Sequence, residues 1–350
     1  MPSDQKTLLI LTPGFPESER DTTCLPAQQQ FVKSVQAEFT EVQIIILTLQ
    51  YPEFPARYFW NHIRVISFGI RSGFYQKLRW TRVWRELTKI YKQTRIIGIL
   101  SFWCTECSLL GTYFGRIYGL RHYSWILGQD ARKNNISIRI MRPKPEELIA
   151  ISDFLADEFY MNHRTRPLHI IPNGLDDRLF PETLVTRDID ILGAGSLIPL
   201  KQYDVFINVI VQVLEYFPAL KTMICGKGPE LQNLQSLIGK LGLQQQISLT
   251  GELPHHEVIS LIQRSKIFLH PSSYEGFSGA CIEALYAGAH VISFTKPMNY
   301  PISHWHVVKT ISEMKEKICS LLKQESLDHK RVMAYPVSRT AKEVMKLFGN

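Results

Sequence analysis

Two glutamates, Glu275 and Glu283, lie eight residues apart and enclose two glycines, Gly276 and Gly279. Glycine lets a backbone approach a ligand closely. The residues that follow Gly279 are mostly strong helix formers and end at Gly288, a typical C-cap residue, which predicts a short helix. The N–H groups and the partial positive charge at a helix N-terminus suit a phosphate. These residue types therefore predict an anion site with a carboxylate on either side.

A carboxylate beside a phosphate would be repelled, so the two glutamates should face neutral hydroxyl groups instead. Glu283 is expected about 6 Å further along the helix axis than the loop, at about 1.5 Å rise per residue. A ligand with an anionic centre and a hydroxylated ring on each side meets this demand, and a sugar nucleotide is such a molecule. The alternative is an ordinary helix with two surface glutamates, since two glutamates at this spacing also occur by chance.

The elements that must position these residues form a β-loop-α-β unit. An apolar run at 267–269 stops at Pro271, which predicts a short buried strand, and residues 291–294 predict the next strand. The loop with the glutamates therefore lies beyond the carboxyl end of a parallel strand, where open α/β sheets bind their ligands.

Composition indicates a soluble globular protein of two domains. The chain has 350 residues, of which 45% are hydrophobic and 21% charged. We expect no transmembrane helix, because no apolar run approaches about 18 residues. We expect no signal peptide, because the N-terminal segment has an acidic residue and only a four-residue apolar run behind it. The six scattered cysteines favour a reduced, cytoplasmic protein. Cys104 and Cys107 have the C-x-x-C spacing, but their apolar neighbours favour core packing over redox chemistry.

The stretch from Glu275 to Glu283, with Gly-Phe-Ser-Gly between the glutamates and Glu-Ala-x-x-Ala-Gly after them, resembles the E-x7-E signature of family 4 retaining glycosyltransferases. The resemblance implies the GT-B fold: two doubly wound, Rossmann-like α/β domains that face a central cleft. We expect an acceptor-binding domain over 1–182 and a nucleotide-sugar-binding domain over 183–334. A C-terminal helix in 335–350 is expected to cross back to the first domain.

A second motif strengthens the resemblance. The run that begins at Gly195 and includes Ser196 and Lys201 is similar to the family pattern Gly-[Arg/Ser]-Leu-x-x-x-Lys, in which the lysine binds the donor diphosphate. The same run fails as a G-x-G-x-x-G dinucleotide fingerprint, because Ile198 occupies the third glycine position. Many family members have arginine where this chain has Ser196, so one phosphate cation is missing.

The first domain matches the family less closely. Gly14, after the first predicted strand, matches a glycine that approaches the donor phosphates and the acceptor. Asp130 matches an aspartate near the transferred sugar, and is a candidate for sugar or acceptor contact; a helix cap is the alternative. The family histidine that precedes this turn is replaced by Leu127. Residues 148–152 predict the last strand of the domain, and Asn173-Gly174 predicts a turn with positive φ.

The resemblance implies catalytic roles for Lys201 and Glu275, and ribose binding by Glu283. The nucleotide-sugar site is expected to comprise Gly14, Ser196, Lys201, Gly226, Leu253, Glu275, Gly276, Phe277, Ser278, Gly279 and Glu283. No cofactor and no metal are expected. Asp188-Ile-Asp190 has the form of a D-x-D metal motif but enters a strand rather than leaving one, and the His255-His256 and His304-Trp-His306 pairs lack zinc-spaced partners.

The positive charge is concentrated in residues 71–95, where eight Lys or Arg face one Glu and alternate with Trp80, Trp84 and Tyr91. Cations with interleaved aromatic residues suit an anionic membrane surface or a nucleic-acid backbone. A helix with inward aromatics and solvated cations is the alternative. The resemblance favours a peripheral membrane contact on the cytoplasmic face and no nucleic acid.

The expected function is retaining transfer of a hexose from a nucleotide-diphosphate sugar to a glycan or a lipid-linked acceptor, in polysaccharide, lipopolysaccharide or glycolipid synthesis. Two alternatives stay open. One is a GT-B epimerase, or a phosphorylase with a pyridoxal phosphate bound by lysine. The other is a catalytically silent binding subunit, which Leu127 and Ser196 favour and which Lys201, Glu275 and Glu283 oppose.

Overall fold

The structure is a computed structural model that describes residues 3–69, 76–181 and 185–349. The chain divides into two compact units. Unit 1 comprises Met1–Gly174 and Val337–Asn350, and unit 2 comprises Leu175–Pro336. From the sequence we predicted the two domain boundaries at 182/183 and 334/335. The C-terminal segment thus belongs to unit 1, although it follows unit 2 in the chain.

Unit 1 is built around a sheet with the order β3-β4-β2-β1-β5-β6-β7-β8. Every neighbouring pair is parallel except β3 and β4. Its strands are β1 Ser3–Gly14, β2 Val42–Tyr51, β3 Ala56–Trp60, β4 Ile63–Ser67, β5 Thr94–Phe102, β6 His122–Ile126, β7 Leu148–Ala150 and β8 His169–Ile170. Its helices are α1 Pro26–Glu38, α2 Gln76–Gln93, α3 Glu106–Tyr118, α4 Ile136–Met141, α5 Asp153–His163 and, after unit 2, α11 Val337–Leu347.

The central strands of unit 1 are continuous apolar runs because helices cover both faces of a parallel sheet. Leu9 and Leu11 of β1, for example, pack with Val83 and Leu87 of α2 and Phe114 of α3. Helix α11 packs against α1. This arrangement brings the end of the chain into the first Rossmann-like unit.

The aromatic residues of α2 face inward. Trp84 packs edge-on against Phe114 with ring centroids 5.1 Å apart, and Tyr91 lies 4.5 Å from Tyr118. For the aromatic residues this is the alternative that the sequence analysis left open, a helix whose aromatics pack inward, because they complete the core beneath the helix. Residues 71–75 and the side chains of 76–79 lie outside the described part of the chain. The membrane contact of 71–95 itself stays a prediction.

Two local predictions for unit 1 need correction, and one strand was missed. The antiparallel strand β3 was not predicted, and β8 rather than the strand at 148–150 is the last in the sheet. Gly174 does not lie in the left-handed region that the turn prediction required. A Cβ atom at Gly174 would lie 2.3 Å from the Val337 Cα atom, so the glycine is required by the close approach of the chain entering α11.

Unit 2 contains a parallel sheet with the order β11-β10-β9-β12-β13-β14. Its strands are β9 Ile189–Ala194, β10 Thr222–Cys225, β11 Ile247–Gly251, β12 Ser265–His270, β13 His290–Ser293 and β14 Trp305–Val307. Its helices are α6 Tyr203–Leu214, α7 Leu231–Lys240, α8 His255–Gln263, α9 Gly279–Tyr286 and α10 Ile311–Leu322. Chain order runs outward in both directions from β9 and β12, which makes the gap between their carboxyl ends the topological switch point.

None of the described helices combines the length and the apolar character needed to cross a bilayer. Cys104 and Cys107 are fully buried and unbridged. Burial raises the pKa of both thiols well above the usual range. Both cysteines therefore behave as core residues, as their apolar neighbours predicted.

Candidate active site

The loops that follow β9 and β12 are joined at the switch point. The Leu200 carbonyl oxygen accepts hydrogen bonds from the Ser273 amide at 3.0 Å and from the Ser272 hydroxyl at 3.2 Å. These two strands are neighbours in the sheet. The hydrogen bonds hold the residue after Leu200 against the loop that begins the E-x7-E segment.

Lys201 and Glu275 form an ion pair across these two loops. The side chains keep 18% and 22% of their surface exposed, so the pair is reachable by a ligand. His270, the last residue of β12, donates from Nε2 to the same glutamate oxygen at 3.2 Å. The structure thus brings together Lys201 and Glu275, the two residues predicted to be catalytic. It also places His270 beside them, a contact that the sequence analysis missed.

Glu275 is held in its ionised form. Burial alone would raise its pKa, but the hydrogen bond from His270 and the positive charge of Lys201 together lower the pKa to about 2. Burial lowers the pKa of His270. At neutral pH Glu275 is therefore an acceptor for hydroxyl groups rather than a proton donor.

Glu283 has a histidine partner of its own. The buried carboxylate of Glu283 accepts a 2.8 Å hydrogen bond from His255 Nε2 at the start of α8. Burial opposes the charged form of His255, yet the bond and the charge of Glu283 raise its pKa. The sequence analysis set His255 aside for lack of metal ligands. No local pattern predicts the contact, because it joins two helices.

The residues between the glutamates have separate tasks. Ser278 caps α9, because its hydroxyl accepts from the Cys281 amide at 3.4 Å. The buried Phe277 ring stacks on Trp305 of β14 with ring centroids 6.0 Å apart. Gly276 is buried. Gly279, in contrast, faces open space, since a Cβ atom there would meet nothing within 4 Å.

Glycines also shape the exits of β9, β10 and β11. Gly226 has φ +149°, and a Cβ atom there would lie 1.9 Å from the Gly195 carbonyl oxygen. The Gly226 amide donates to the Gly251 carbonyl at 2.8 Å. Ser196, next to Gly195, is exposed, and Leu253 is half-buried just beyond β11. The glycines let three loops lie backbone to backbone at the carboxyl edge of the sheet.

The two candidates in unit 1 make structural contacts. The buried Asp130 carboxylate accepts from the amides of Cys104 at 2.8 Å and Gly128 at 2.7 Å, and from the Leu127 amide. Burial raises the pKa of Asp130, against the effect of these bonds. Gly14 is buried, and a Cβ atom there would lie 3.2 Å from the Tyr51 Cβ atom. Contact of either residue with a ligand stays a prediction.

The residues considered as metal ligands in the sequence analysis form ion pairs or hydrogen bonds with other side chains. Asp188 pairs with Arg264 and Asp190 with Lys266, at the amino ends of β9 and β12. His306 Nε2 lies 3.1 Å from His290 Nδ1, and His304 contacts Asp328 at 3.4 Å. In the part of the chain that the structure describes, no group of three potential ligands could hold a metal ion.

Comparison with known proteins places this site in a family. Residues 177–334, almost the whole of unit 2, match the family "Glycosyl transferases group 1". Unit 2 is a group 1 glycosyltransferase domain. The E-x7-E segment, the Lys201 loop and the glycine-shaped strand exits all lie within this group 1 domain.

Curated relatives match part of the chain. The 2-deoxystreptamine N-acetyl-D-glucosaminyltransferase of Niallia circulans is 30% identical over 147 residues, which cover 42% of this chain and 36% of that protein. The phosphatidylinositol N-acetylglucosaminyltransferase gpi3 subunit of Schizosaccharomyces pombe is 26% identical over 203 residues, 56% of this chain and 44% of that protein. The chain thus spans less than half of the length of these relatives.

Solved structures extend the likeness to both units. Anabaena HepE, in complex with UDP and glucose, superposes with a TM-score of 0.72 at 14% identity and covers 98% of this chain and 99% of that chain. The pneumococcal O-GlcNAc transferase GtfA, with UDP and GlcNAc, gives 0.71 at 12% identity and covers 99% of each chain. At this identity the likeness concerns the fold, and the predicted GT-B fold is confirmed.

Proposed function

We propose that this protein is a retaining glycosyltransferase that takes a hexose, or its N-acetylated form, from a nucleoside diphosphate sugar. The observation that carries the proposal is the Lys201–Glu275 pair, supported by His270, at the switch point of the group 1 domain. A cation for the diphosphate and an ionised acceptor for sugar hydroxyls lie side by side there. The group 1 match and the UDP-bound structural neighbours support this choice of donor.

Lys201 would stabilise the leaving group. Its ammonium group has three donors, so it can hold Glu275 and still contact a diphosphate oxygen. Charge develops on that oxygen as the bond to the anomeric carbon loosens, and stabilisation of this developing charge lowers the barrier. The amides at the start of α9 would add to the same effect, because Gly279 leaves them open to the ligand.

The two glutamates would orient the donor. Glu275 would accept hydrogen bonds from the sugar, and Glu283 from the ribose. His270 and His255 are positioning residues, since each holds one carboxylate in place. No protein nucleophile is required: attack on the same face as the departing diphosphate, which takes the proton of the acceptor, gives retention. We further propose a metal-independent reaction and a glycan or lipid-linked acceptor.

The test is incubation with UDP-, GDP- and ADP-hexoses and UDP-N-acetylhexosamines, with and without EDTA. Release of the nucleoside diphosphate is followed by chromatography, and the anomeric form of the sugar product by proton NMR. We expect one donor to be consumed, EDTA to have no effect, and the first-formed sugar to keep the donor's anomeric configuration. An inverted product or turnover of no donor would contradict the proposal.

Lys201→Ala should lower the rate with that donor by about 10²–10³-fold, the usual effect of removing one group that stabilises transition-state charge. Lys266→Ala is the matched control. Lys266 pairs with Asp190 and thereby joins the same two strands, β9 and β12, at their other end. A loss of activity in the control as large as in Lys201→Ala would assign the effect to the sheet rather than to the site.

A further inference from the structure

One edge of the unit 1 sheet is open. Strand β3 is the outermost strand there, and among the strands that the structure describes it pairs with β4 alone. Arg57 and Phe59 of β3 are exposed, whereas the residues that alternate with them are buried or half-buried. Phe59 keeps 69% of its surface exposed. An open sheet edge that carries an exposed apolar side chain is a template for pairing with another strand.

The turn that joins β3 to β4 determines which main-chain groups face this open edge. Trp60 is paired with Ile63, and both residues of the turn between them, 61–62, have positive φ. This is the type I′ hairpin turn, in which the Trp60 carbonyl accepts a hydrogen bond from the Ile63 amide. Hydrogen-bonded and non-hydrogen-bonded pairs alternate along an antiparallel ladder. The amide and carbonyl groups of Arg57 and Phe59 therefore point away from β4, towards the open edge.

The arginine on this edge does not protect it. Proteins commonly guard an exposed edge with a charged side chain, which repels a second strand. Here the charge of Arg57 is already compensated, because its Nη2 atom lies 2.7 Å from the Glu86 carboxylate of α2. The Glu86 side chain is only 10% exposed, so the ion pair is anchored to the helix. The Arg57 guanidinium is thus held in place, and its side chain, 56% exposed, remains available for a further contact.

The outward groups of β3 are complementary to those of a second copy. In a two-fold antiparallel pairing centred on Tyr58, Arg57 of each copy lies opposite Phe59 of the other. Each of these two pairs exchanges two main-chain hydrogen bonds and places a guanidinium beside an aromatic ring, a cation–π contact. A shift of the second copy by two residues would set Arg57 opposite Arg57, which like charges disfavour. The opposite shift would pair Phe59 with itself and leave Arg57 beside the turn, with half of the bonds.

We propose that β3 is a homodimer interface, in which the edge strands of two chains pair antiparallel about Tyr58 and join their sheets. Two-fold dimers are the commonest assemblies, and the same residues lie on both sides of their interface. Phe54, two residues before β3 and 54% exposed, adds apolar surface. Pairing of five-residue strands buries less than a standard interface, so the dimer should dissociate at micromolar concentrations. The inference concerns association alone, so it does not rest on the proposed glycosyl transfer.

The experiment is sedimentation equilibrium of the full chain from micromolar to millimolar concentration, where we expect a monomer–dimer equilibrium. Phe59→Lys sets a cation opposite Arg57 of the second copy and should weaken association at least about tenfold. Phe59→Glu sets a carboxylate there instead and should stay within about threefold of native protein. Leu168→Lys is the matched control, because Leu168 is 64% exposed beside β8, the opposite edge of the same sheet. This control should leave association unchanged.

A cysteine on the two-fold axis tests the register. Position 58 lies opposite itself in a non-hydrogen-bonded pair, where the Cα atoms are about 4.5 Å apart and within the range of a disulfide. Under mild oxidation Tyr58→Cys should therefore form a cross-linked dimer. Native protein, whose six cysteines are free, and Tyr216→Cys, at a 56% exposed position in unit 2, are the controls and should not cross-link.

The proposal is overturned if native protein stays monomeric at every concentration, or if Phe59→Lys associates as tightly as native protein. Equal losses in Phe59→Lys and Phe59→Glu would overturn the pairing with Arg57. A Tyr58→Cys variant that sediments as a dimer but does not cross-link would overturn the two-fold register.

Discussion

At the scale of single residues, each carboxylate of the candidate site is held by a histidine. The spacing of Glu275 and Glu283 and the motif around Lys201 could be read from the sequence, because each lies at a fixed distance from a predicted strand or helix. His270 and His255 could not be found in this way. Their importance lies in contacts that form only when β12 meets its own loop and α8 meets α9.

His255→Ala should act on donor binding rather than on chemistry. It removes the 2.8 Å hydrogen bond to the buried Glu283, and a bond to a charged group contributes about 1.5 kcal/mol or more. We expect KM for the donor to rise about tenfold with kcat nearly unchanged. Steady-state kinetics measure both, and His256→Ala, at the exposed next position, is the control. A fall in kcat at constant KM would instead place His255 in the chemical step.

At the scale of elements, the sequence predicted the strands whose apolar runs are buried on both faces and missed those without such runs. β8 has two residues and β14 three, too few for a pattern. Gly174 also could not be explained from its local sequence. A glycine is required there because the chain that enters α11, more than 160 residues later, passes close to its backbone, and not because of the local turn.

Gly226, just after β10, and Gly279, the first residue of α9, should differ in how much substitution by alanine destabilises the fold. Gly226→Ala places a Cβ atom 1.9 Å from the Gly195 carbonyl oxygen at φ +149°, so we expect a loss of roughly 3 kcal/mol in the free energy of unfolding. Gly279→Ala meets open space and should change stability by less than about 0.5 kcal/mol. Chemical denaturation measures both.

Gly279→Ala should nevertheless weaken donor binding, since the open space at Gly279 is where we expect the diphosphate to approach the α9 amides. Calorimetry with the preferred donor checks this. Unchanged affinity in a stably folded Gly279→Ala variant would move the ligand away from this helix.

At the scale of the whole molecule, the division into two doubly wound units could be predicted from length and motif order. The order of strands could not, because it depends on which apolar runs become neighbours. The sequence also did not predict that four histidines gather around the Asp328 segment: His290, His304, His306 and His329. The rings of His290 and His304 stack with centroids 4.3 Å apart. We call this group the histidine cluster.

The histidine cluster should make stability depend on pH. Burial first, and Lys317 and the neighbouring histidines next, lower the pKa of His306 to about 4; the pKa of His290 and of His329 is lowered too. The folded state therefore binds fewer protons than the unfolded state, so the free energy of unfolding is unaffected above about pH 6.5 and falls as the pH drops towards 4.

Denaturation of the full chain at pH 7.5 and pH 5 measures this loss. We expect His306→Asn to reduce the acid-induced loss by on the order of 1 kcal/mol. His62→Asn, at an exposed position in unit 1 with φ 65°, should leave it unchanged. An acid-induced loss of the same size in native protein and His306→Asn would show that the cluster does not govern it.

Calorimetric titration of nucleoside mono- and diphosphates into native protein, Lys201→Ala and Lys266→Ala tests the central claim most directly. We predict that one diphosphate binds native protein and Lys266→Ala alike. Lys201→Ala should bind it at least about tenfold more weakly, as expected for a charge-assisted hydrogen bond, with little change for the monophosphate. Absence of binding by every diphosphate, or equal affinities for native protein and Lys201→Ala, would contradict the account.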